Sequence, residues 1–87
     1  MAQIEDMHRA AEKEIAANHF REAIRLYDDI ILLEPDDDVA YANMGNTYLI
    51  LGYDNKAKDA FHQALDINPD NEDASIGLRK IADPDSV

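Results

Sequence analysis

Apolar residues recur along the chain at intervals of three and four positions, which places them on one face of an α-helix. Representative pairs in the first four stretches are Ala11 and Ile15, Ile24 and Tyr27, Met44 and Tyr48, and Phe61 and Leu65. A fifth, shorter stretch carries Ala74, Leu78 and Ile81. The alternating pattern typical of a β-strand is not seen. The spacing therefore predicts an all-α chain of five helices, near residues 4–17, 20–33, 38–51, 54–67 and 72–82.

The sequence also repeats itself after 34 residues. Residues 34–37 (Glu-Pro-Asp-Asp) return as residues 68–71 (Asn-Pro-Asp-Asn), and the same offset relates Tyr27 to Phe61. Each proline ends the helix before it, because proline has no N–H to donate to the helix ladder. Asn18 and Gly52 are related in the same way, and both residue types tolerate the left-handed backbone that often follows a helix. A 34-residue period with two helices in each unit indicates a helical repeat protein.

The residues of the second unit resemble the tetratricopeptide repeat (TPR) signature. They are Tyr41, Met44, Gly45, Tyr48, Ala57, Phe61, Ala64 and Pro69, and the first unit offers a looser set in Met7, Ala10, Ala11, Ala23, Tyr27, Ile30 and Pro35. The resemblance implies an α-solenoid of stacked antiparallel helix pairs. It divides a single domain over residues 1–83 into repeat 1 (about 4–37), repeat 2 (about 38–71) and a capping helix (about 72–82). A tail over residues 84–87 is expected to be mobile, because Pro84 stops the helix.

In this family the first helix of each pair lines a concave groove, so the resemblance also implies a binding surface. The residues it assigns to the groove are Glu5, His8, Arg9, Glu12, Val39, Ala42, Asn43, Asn46, Ile50, Asp73, Ile76, Gly77 and Lys80. Asn43 and Asn46 are three residues apart and share a helix face. Their amides are able to pair with both the donors and the acceptors of an extended peptide backbone. The alternative is that they are ordinary exposed polar residues.

The chain is strongly acidic, with 19 Asp and Glu residues against 8 Lys and Arg and a formal net charge of -11. Such a chain repels phosphate, which argues against nucleic-acid and anionic-membrane partners. Much of the charge has a structural explanation: the aspartates near residues 36–38 and 70–73 precede helices, where carboxylates are favourable. Other acids are expected to be solvated on the convex face. The predicted partner is a protein or peptide, preferably neutral to basic.

One subtype of the family, the receptors of chaperone C-terminal tails, holds a carboxylate with a clamp of Lys, Asn, Asn, Lys and Arg. The corresponding positions here are His8, Glu12, Asn43, Asp73 and Gly77. Asn43 alone matches, and two carboxylates stand where cations are needed. The sequence therefore argues against a carboxylate-clamp receptor.

Catalysis has little support in the sequence. There is no cysteine, no glycine-rich phosphate loop and no arrangement of a serine or threonine with a base. His8 and Glu12 lie one helical turn apart and suggest a metal site, but an isolated pair of this kind is usually solvated. We expect a non-enzymatic scaffold or adaptor without a cofactor or metal.

A different class of function remains open: self-assembly, or membership of a longer TPR array. Solenoids generally need about three repeats for stability, and this chain carries two and a half. We therefore expect a monomer or a weak homo-oligomer. The sequence has no apolar run long enough to span a membrane and no signal peptide, and a cytoplasmic location is expected.

Overall fold

Five α-helices make up the chain in its computed structural model, which describes residues 2–82 and the side chains of residues 3–82. The helices are α1 (Ala2–Ala16), α2 (Phe20–Leu33), α3 (Asp38–Leu51), α4 (Asp54–Ile67) and α5 (Glu72–Ala82). Residues 2–82 contain no strand. The all-α prediction is confirmed, and each observed helix begins and ends within two residues of its predicted bounds. The predicted mobile tail at residues 84–87 lies outside the described residues.

The turn inside each helix pair uses the same backbone hydrogen bonds, shifted by 34 residues. In the first pair the N–H of His19 donates to Glu14 O at 2.7 Å, and in the second the N–H of Tyr53 donates to Tyr48 O at 2.9 Å. The residue before each donor has a positive φ, 65° at Asn18 and 82° at Gly52. The predicted left-handed backbone at these two positions is confirmed, and it lets each chain reverse within three residues.

The connection between one pair and the next is also repeated. The N–H of Asp37 donates to Glu34 O at 3.1 Å, and the N–H of Asn71 donates to Asn68 O at 3.0 Å. Asp37 then caps α3, since its Oδ1 accepts from the N–H of Ala40 at 3.0 Å. Asn71 does the same for α5 through Ala74, at 2.9 Å. Short polar side chains at these positions satisfy helix N–H groups that have no partner within the helix.

The core follows the stack of helices in two neighbouring clusters. The first is centred on Tyr27 and Ile30 of α2, and the second on Phe61 of α4. Phe61 is fully buried. Its ring reaches two glycines on different helices, and a Cβ built at Gly45 or at Gly77 would lie only 2.5 or 2.3 Å from a ring carbon. The ring of Phe61 therefore fills the space that glycine leaves on both α3 and α5.

Helix α5 packs on α3 and α4 through the residues that the sequence pattern predicted. Ala74 is fully buried, and Leu78 and Ile81 pack against the Phe61 cluster. Leu78 and Ile81 also line an open cleft of about 330 Å³ with Lys58 and His62 of α4. No helix within residues 2–82 is both long and apolar enough to cross a bilayer.

Candidate functional site

One face of α3 presents amides between two exposed apolar side chains. Val39, Asn43, Asn46 and Ile50 follow one another at intervals of three and four residues, which aligns them along a single face of the helix. Val39 is 50% exposed and Ile50 57% exposed, while the two asparagines are half-buried. The side chain of Asn46 makes no hydrogen bond to another described residue. This face combines amide donors and acceptors with apolar surface.

The corresponding face of α1 is charged. Glu5, Arg9 and Glu12 are exposed. Arg9 Nη1 lies 3.1 Å from Asp6 Oδ1, and both side chains are open to solvent, so this pair adds little to stability. The corresponding face of α5 carries exposed Asp73 and Lys80 and a 43% exposed Ile76. Three carboxylates therefore stand against two cations on these three faces.

Two residues assigned to the groove from the sequence are not on the surface. Ala42 is 1% exposed and packs in the Phe61 cluster, and Gly77 is buried beneath the Phe61 ring. The placement of Ala42 and Gly77 in the groove is therefore wrong. Helix α3 is packed against α2, α4 and α5. Little of its circumference remains for a partner, and the position next to Asn43 turns inward.

His8 lies on the predicted groove face but is engaged within the molecule. Its Nε2–H donates to Asp37 Oδ2 at 2.8 Å, and both side chains are largely buried. The same carboxylate caps α3, so His8 ties α1 to the start of α3. The ring of His8 also lies 6.0 Å from that of Tyr27, at 58°. The sequence analysis missed this role, because it treated His8 only as a surface residue or a metal ligand.

An analogous contact ties α3 to the start of α5. The side-chain amides of Asn71 and Asn68 donate to Asp38 Oδ2, at 2.9 and 3.0 Å. Burial alone would raise the pKa of Asp38, but these hydrogen bonds and those from the backbone N–H groups of Asp38 and Val39 outweigh it. The pKa of Asp38 therefore lies below its usual 3.8. At both repeat boundaries, a polar side chain of one first helix contacts the residue that caps the next.

Tyr27 places a hydroxyl beneath the same surface. Its side chain is fully buried, and Oη makes no hydrogen bond of ordinary geometry with the described residues. Burial raises the pKa of Tyr27 to about 12, and the carboxylates of Glu12 and Asp37 add to the shift while the amide of Asn43 opposes it. At the equivalent position Phe61 has no hydroxyl, so this buried polar atom belongs to the first repeat alone.

The sequence model of the tetratricopeptide repeat family matches residues 39–71, which comprise nearly all of α3 and the whole of α4. The chain belongs to the tetratricopeptide repeat family. The matched TPR unit contains Gly45, Phe61 and Pro69, on which the resemblance was first based. Within the described residues no group of three His, Cys, Asp or Glu side chains is placed to hold a metal ion.

Comparison with individual proteins supports the TPR assignment. The chain is 30% identical over 76 residues, 87% of its length, to human protein arginine N-methyltransferase 9, and 31% identical over 72 residues, 83% of its length, to the mouse protein of that name. It is 39% identical over 54 residues, 62% of its length, to human tetratricopeptide repeat protein 6. These matches cover 9%, 8% and 10% of the relatives, so this TPR chain spans about a tenth of their length.

Proposed function

We propose that the chain is a protein–protein interaction module that binds an extended peptide segment of a partner, in a scaffold or adaptor role. TPR repeats generally serve such interactions. The proposed contact surface, called the groove face below, comprises Glu5, His8, Arg9, Glu12, Val39, Asn43, Asn46, Ile50, Asp73, Ile76 and Lys80.

The observation that carries the proposal is the face of α3. Asn43 and Asn46 hold amides at the surface, and the exposed side chains of Val39 and Ile50 flank them. An extended peptide has backbone donors and acceptors that match an amide, and its alternate side chains are able to cover the apolar positions. The amides therefore provide main-chain recognition, and the apolar residues provide area to bury.

The charges of the groove face suggest the partner's composition. Glu12, Asn46 and Lys80 are each 34 residues apart and occupy equivalent places on α1, α3 and α5. Their charge changes from negative through neutral to positive across the stack. We therefore expect a neutral to basic peptide that places its cation near α1, where Glu5 also lies.

The proposal is for binding without catalysis. The human and mouse arginine methyltransferases named above share with this chain only 9% and 8% of their lengths, and their printed activity is that of the whole proteins. In this chain the buried hydroxyl of Thr47 donates to the backbone oxygen of Asn43 at 2.8 Å. This hydroxyl is therefore occupied by a contact within its own helix rather than paired with a base.

A second candidate function is self-assembly or continuation into a longer array. The cleft between α4 and α5 favours it, because Leu78 and Ile81 present apolar surface there beside Lys58 and His62. A further helix placed on this cleft would bury that surface. Sedimentation at several concentrations tests self-assembly: a strict monomer at all of them would contradict it.

A pull-down with the double variant Asn43→Ala/Asn46→Ala tests the groove face. We expect the variant to lose the partner that the wild-type chain retains, because each amide contributes a hydrogen bond that alanine cannot make. The loss of two such bonds should weaken binding about tenfold or more. Asn55→Ala, an exchange of the same type at an exposed position on α4, is the matched control and should retain the partner.

Titration calorimetry with two peptides, alike except that one carries lysines and the other glutamates, tests the charge preference. Only the binding that the double exchange removes belongs to the groove face. That component should be stronger for the basic peptide. A stronger acidic component would contradict the proposed preference, and binding indifferent to the double exchange would contradict the groove face itself.

A further inference from the structure

A cluster of cations and aromatic rings lies at the edge of the stack where the two helix-pair turns meet. It comprises Arg21 at the start of α2, Tyr48 in the last turn of α3, Tyr53 just before α4 and Lys56 in the first turn of α4, and it is called the edge cluster below. Arg21 Nη2 donates to Tyr53 Oη at 2.9 Å, and its guanidinium carbon lies 5.9 Å from the centre of the Tyr53 ring. Lys56 Nζ lies 6.0 Å from the Tyr53 ring and 5.8 Å from the Tyr48 ring. Two cations thus converge on one tyrosine.

These two cations have no carboxylate partner. Within residues 3–82, neither Arg21 nor Lys56 has a carboxylate oxygen within 4.0 Å, whereas Arg9 and Arg25 each pair with an acid three residues away. Aromatic faces attract a cation but do not neutralise its charge. In a chain with 19 acidic residues, two cations held together without a counter-charge leave a local positive site.

One carboxylate of the chain faces this site at longer range. Burial raises the pKa of Asp28, the charge of Asp29 adds to the shift, and the charge of Lys56 opposes it. The pKa of Tyr48 is raised by burial and by the Asp28 carboxylate. Asp28 is therefore near Lys56 and Tyr48 without forming an ion pair. The site offers two positive charges against one nearby negative charge, which suits a single carboxylate better than a doubly charged phosphate.

The edge cluster borders an open cleft with an apolar floor. The cleft measures about 200 Å³, and Ile24 and Leu51 line it together with the four residues of the cluster. A second cleft of about 260 Å³ adjoins it, sharing Arg21 and Leu51 and adding the ring of Phe20. Apolar surface thus continues from the cations along the turn side of α2. A partner segment would need an apolar side chain next to its negative charge.

The cluster is separate from the groove face. Tyr48 follows Asn46 by two residues, which turns it about 200° around α3. A peptide on the amide face of α3 therefore does not reach Tyr48. The two surfaces can be altered independently.

We infer that the edge cluster is a second docking site, which binds an acidic, apolar peptide segment by placing a carboxylate between Arg21 and Lys56 and an adjacent apolar side chain on Ile24 and Leu51. Charge complementarity decides the partner. A nucleic acid would bring many phosphates toward a chain of net charge -11, whereas a short acidic segment brings one or two carboxylates to the local positive site.

The test is an NMR titration of the ¹⁵N-labelled chain with the probe acetyl-Leu-Glu-Leu-amide. Its neutral counterpart, acetyl-Leu-Gln-Leu-amide, has the same shape without the charge. The acidic probe should shift amide resonances in residues 19–24 and 51–57. The neutral probe should bind about tenfold more weakly, because a charge-assisted contact is lost.

Variants assign the binding to the cluster. Arg21→Gln/Lys56→Gln should weaken the acidic probe about tenfold or more. The matched control Arg25→Gln/Lys58→Gln removes two exposed cations from the same two helices and should retain most of the affinity. Lys56→Gln alone serves if loss of the Arg21–Tyr53 contact unfolds the double variant.

Three results would overturn the inference: equal binding of both probes, an equal loss in the control variant, or shifts confined to the groove face. Asn43→Ala/Asn46→Ala should leave the acidic probe's affinity unchanged. This separates a failure of the edge cluster from a failure of the proposed groove. Tighter binding of phenyl phosphate than of the acidic probe would also contradict a carboxylate site.

Discussion

Replacing Gly45 with alanine tests whether the Phe61 ring is held between two helices. A Cβ at this position would lie 2.5, 2.7 and 2.9 Å from three carbons of the ring. Carbon atoms in contact normally lie about 3.5–4.0 Å apart, so the ring would have to move by about 1 Å. The ring is fully buried and also meets Gly77 of α5, where a Cβ would be 2.3 Å away. A shift of the ring therefore disturbs α3 and α5 together.

Two effects of opposite sign decide the result of Gly45→Ala. Alanine favours a helix interior over glycine by about 1 kcal/mol. Forcing an extra methyl group into a packed core costs about 1–3 kcal/mol. Because the ring is confined from two sides, we expect the upper part of that range and a net loss of about 1–2 kcal/mol in the free energy of unfolding. In a domain of this size the loss lowers Tm by about 5–15 °C.

Thermal and urea unfolding followed by circular dichroism at 222 nm measures this loss. Comparing Lys58→Ala with Lys58→Gly at an exposed helix position gives the helix-propensity difference in this chain. Phe61→Leu supplies the structural control, since a smaller side chain makes room for the new methyl group. The double variant should be more stable than the sum of the two single effects by about 1 kcal/mol or more.

A gain in stability for Gly45→Ala would refute the argument. It would mean that propensity prevails and that the ring yields freely. Additivity between Gly45→Ala and Phe61→Leu would refute it as well. The first repeat supplies a reason for caution in the opposite direction: Ala11, the residue equivalent to Gly45, is buried beside Tyr27, so an alanine fits where the helices are spaced for it.

Two further predictions concern ionisable groups. Asp38 has a pKa below 3.8, so its stabilising contribution is fully present above that pH and is lost as the pH falls through the folded-state pKa. Asp38→Asn should be less stable than the wild-type chain at pH 7 but not below pH 3, and a pH-independent difference between their melting curves would contradict this. Tyr27 Oη is buried without a hydrogen bond, so Tyr27→Phe should leave stability at pH 7 unchanged or slightly raised, and a loss above about 1 kcal/mol would show that the hydroxyl is bonded. Because the pKa of Tyr27 is about 12 in the fold and about 10 when unfolded, melts at rising pH should show the wild-type chain losing stability relative to Tyr27→Phe above pH 10.

The backbone of this chain was largely predictable from its sequence. Helix spacing, the two prolines and the 34-residue offset predict five helices, and the structure confirms their bounds. The left-handed residues Asn18 and Gly52 were also predictable, because the turn chemistry depends on residue type and local position. These features involve contacts between residues close in sequence, or repeated once along it.

The side-chain contacts between repeats were not predictable in the same way. Helical spacing places Ala42 on the face of α3 next to Asn43, but the packing of neighbouring helices buries it. Nothing in the spacing of His8 indicates that it bonds Asp37, 29 residues away. The edge cluster was missed because Arg21 and Lys56 are 35 residues apart and the tyrosines were assigned to the core. Such contacts depend on how far one helix pair rotates against the next, which no local pattern specifies.

The differences between equivalent positions give this chain its character, since the 34-residue period makes the rest common to both repeats. Tyr27 replaces the apolar ring of Phe61 and brings a buried hydroxyl beneath Asn43. The histidine that bonds the cap of α3 has Ala42 as its equivalent, so the cap of α5 takes its contact from Asp38 instead. Glu12, Asn46 and Lys80 carry three different charges at one repeated place. Exchanging residues between equivalent positions would therefore preserve the helices while changing the surfaces, and it separates the residues that build the stack from those that choose its partner.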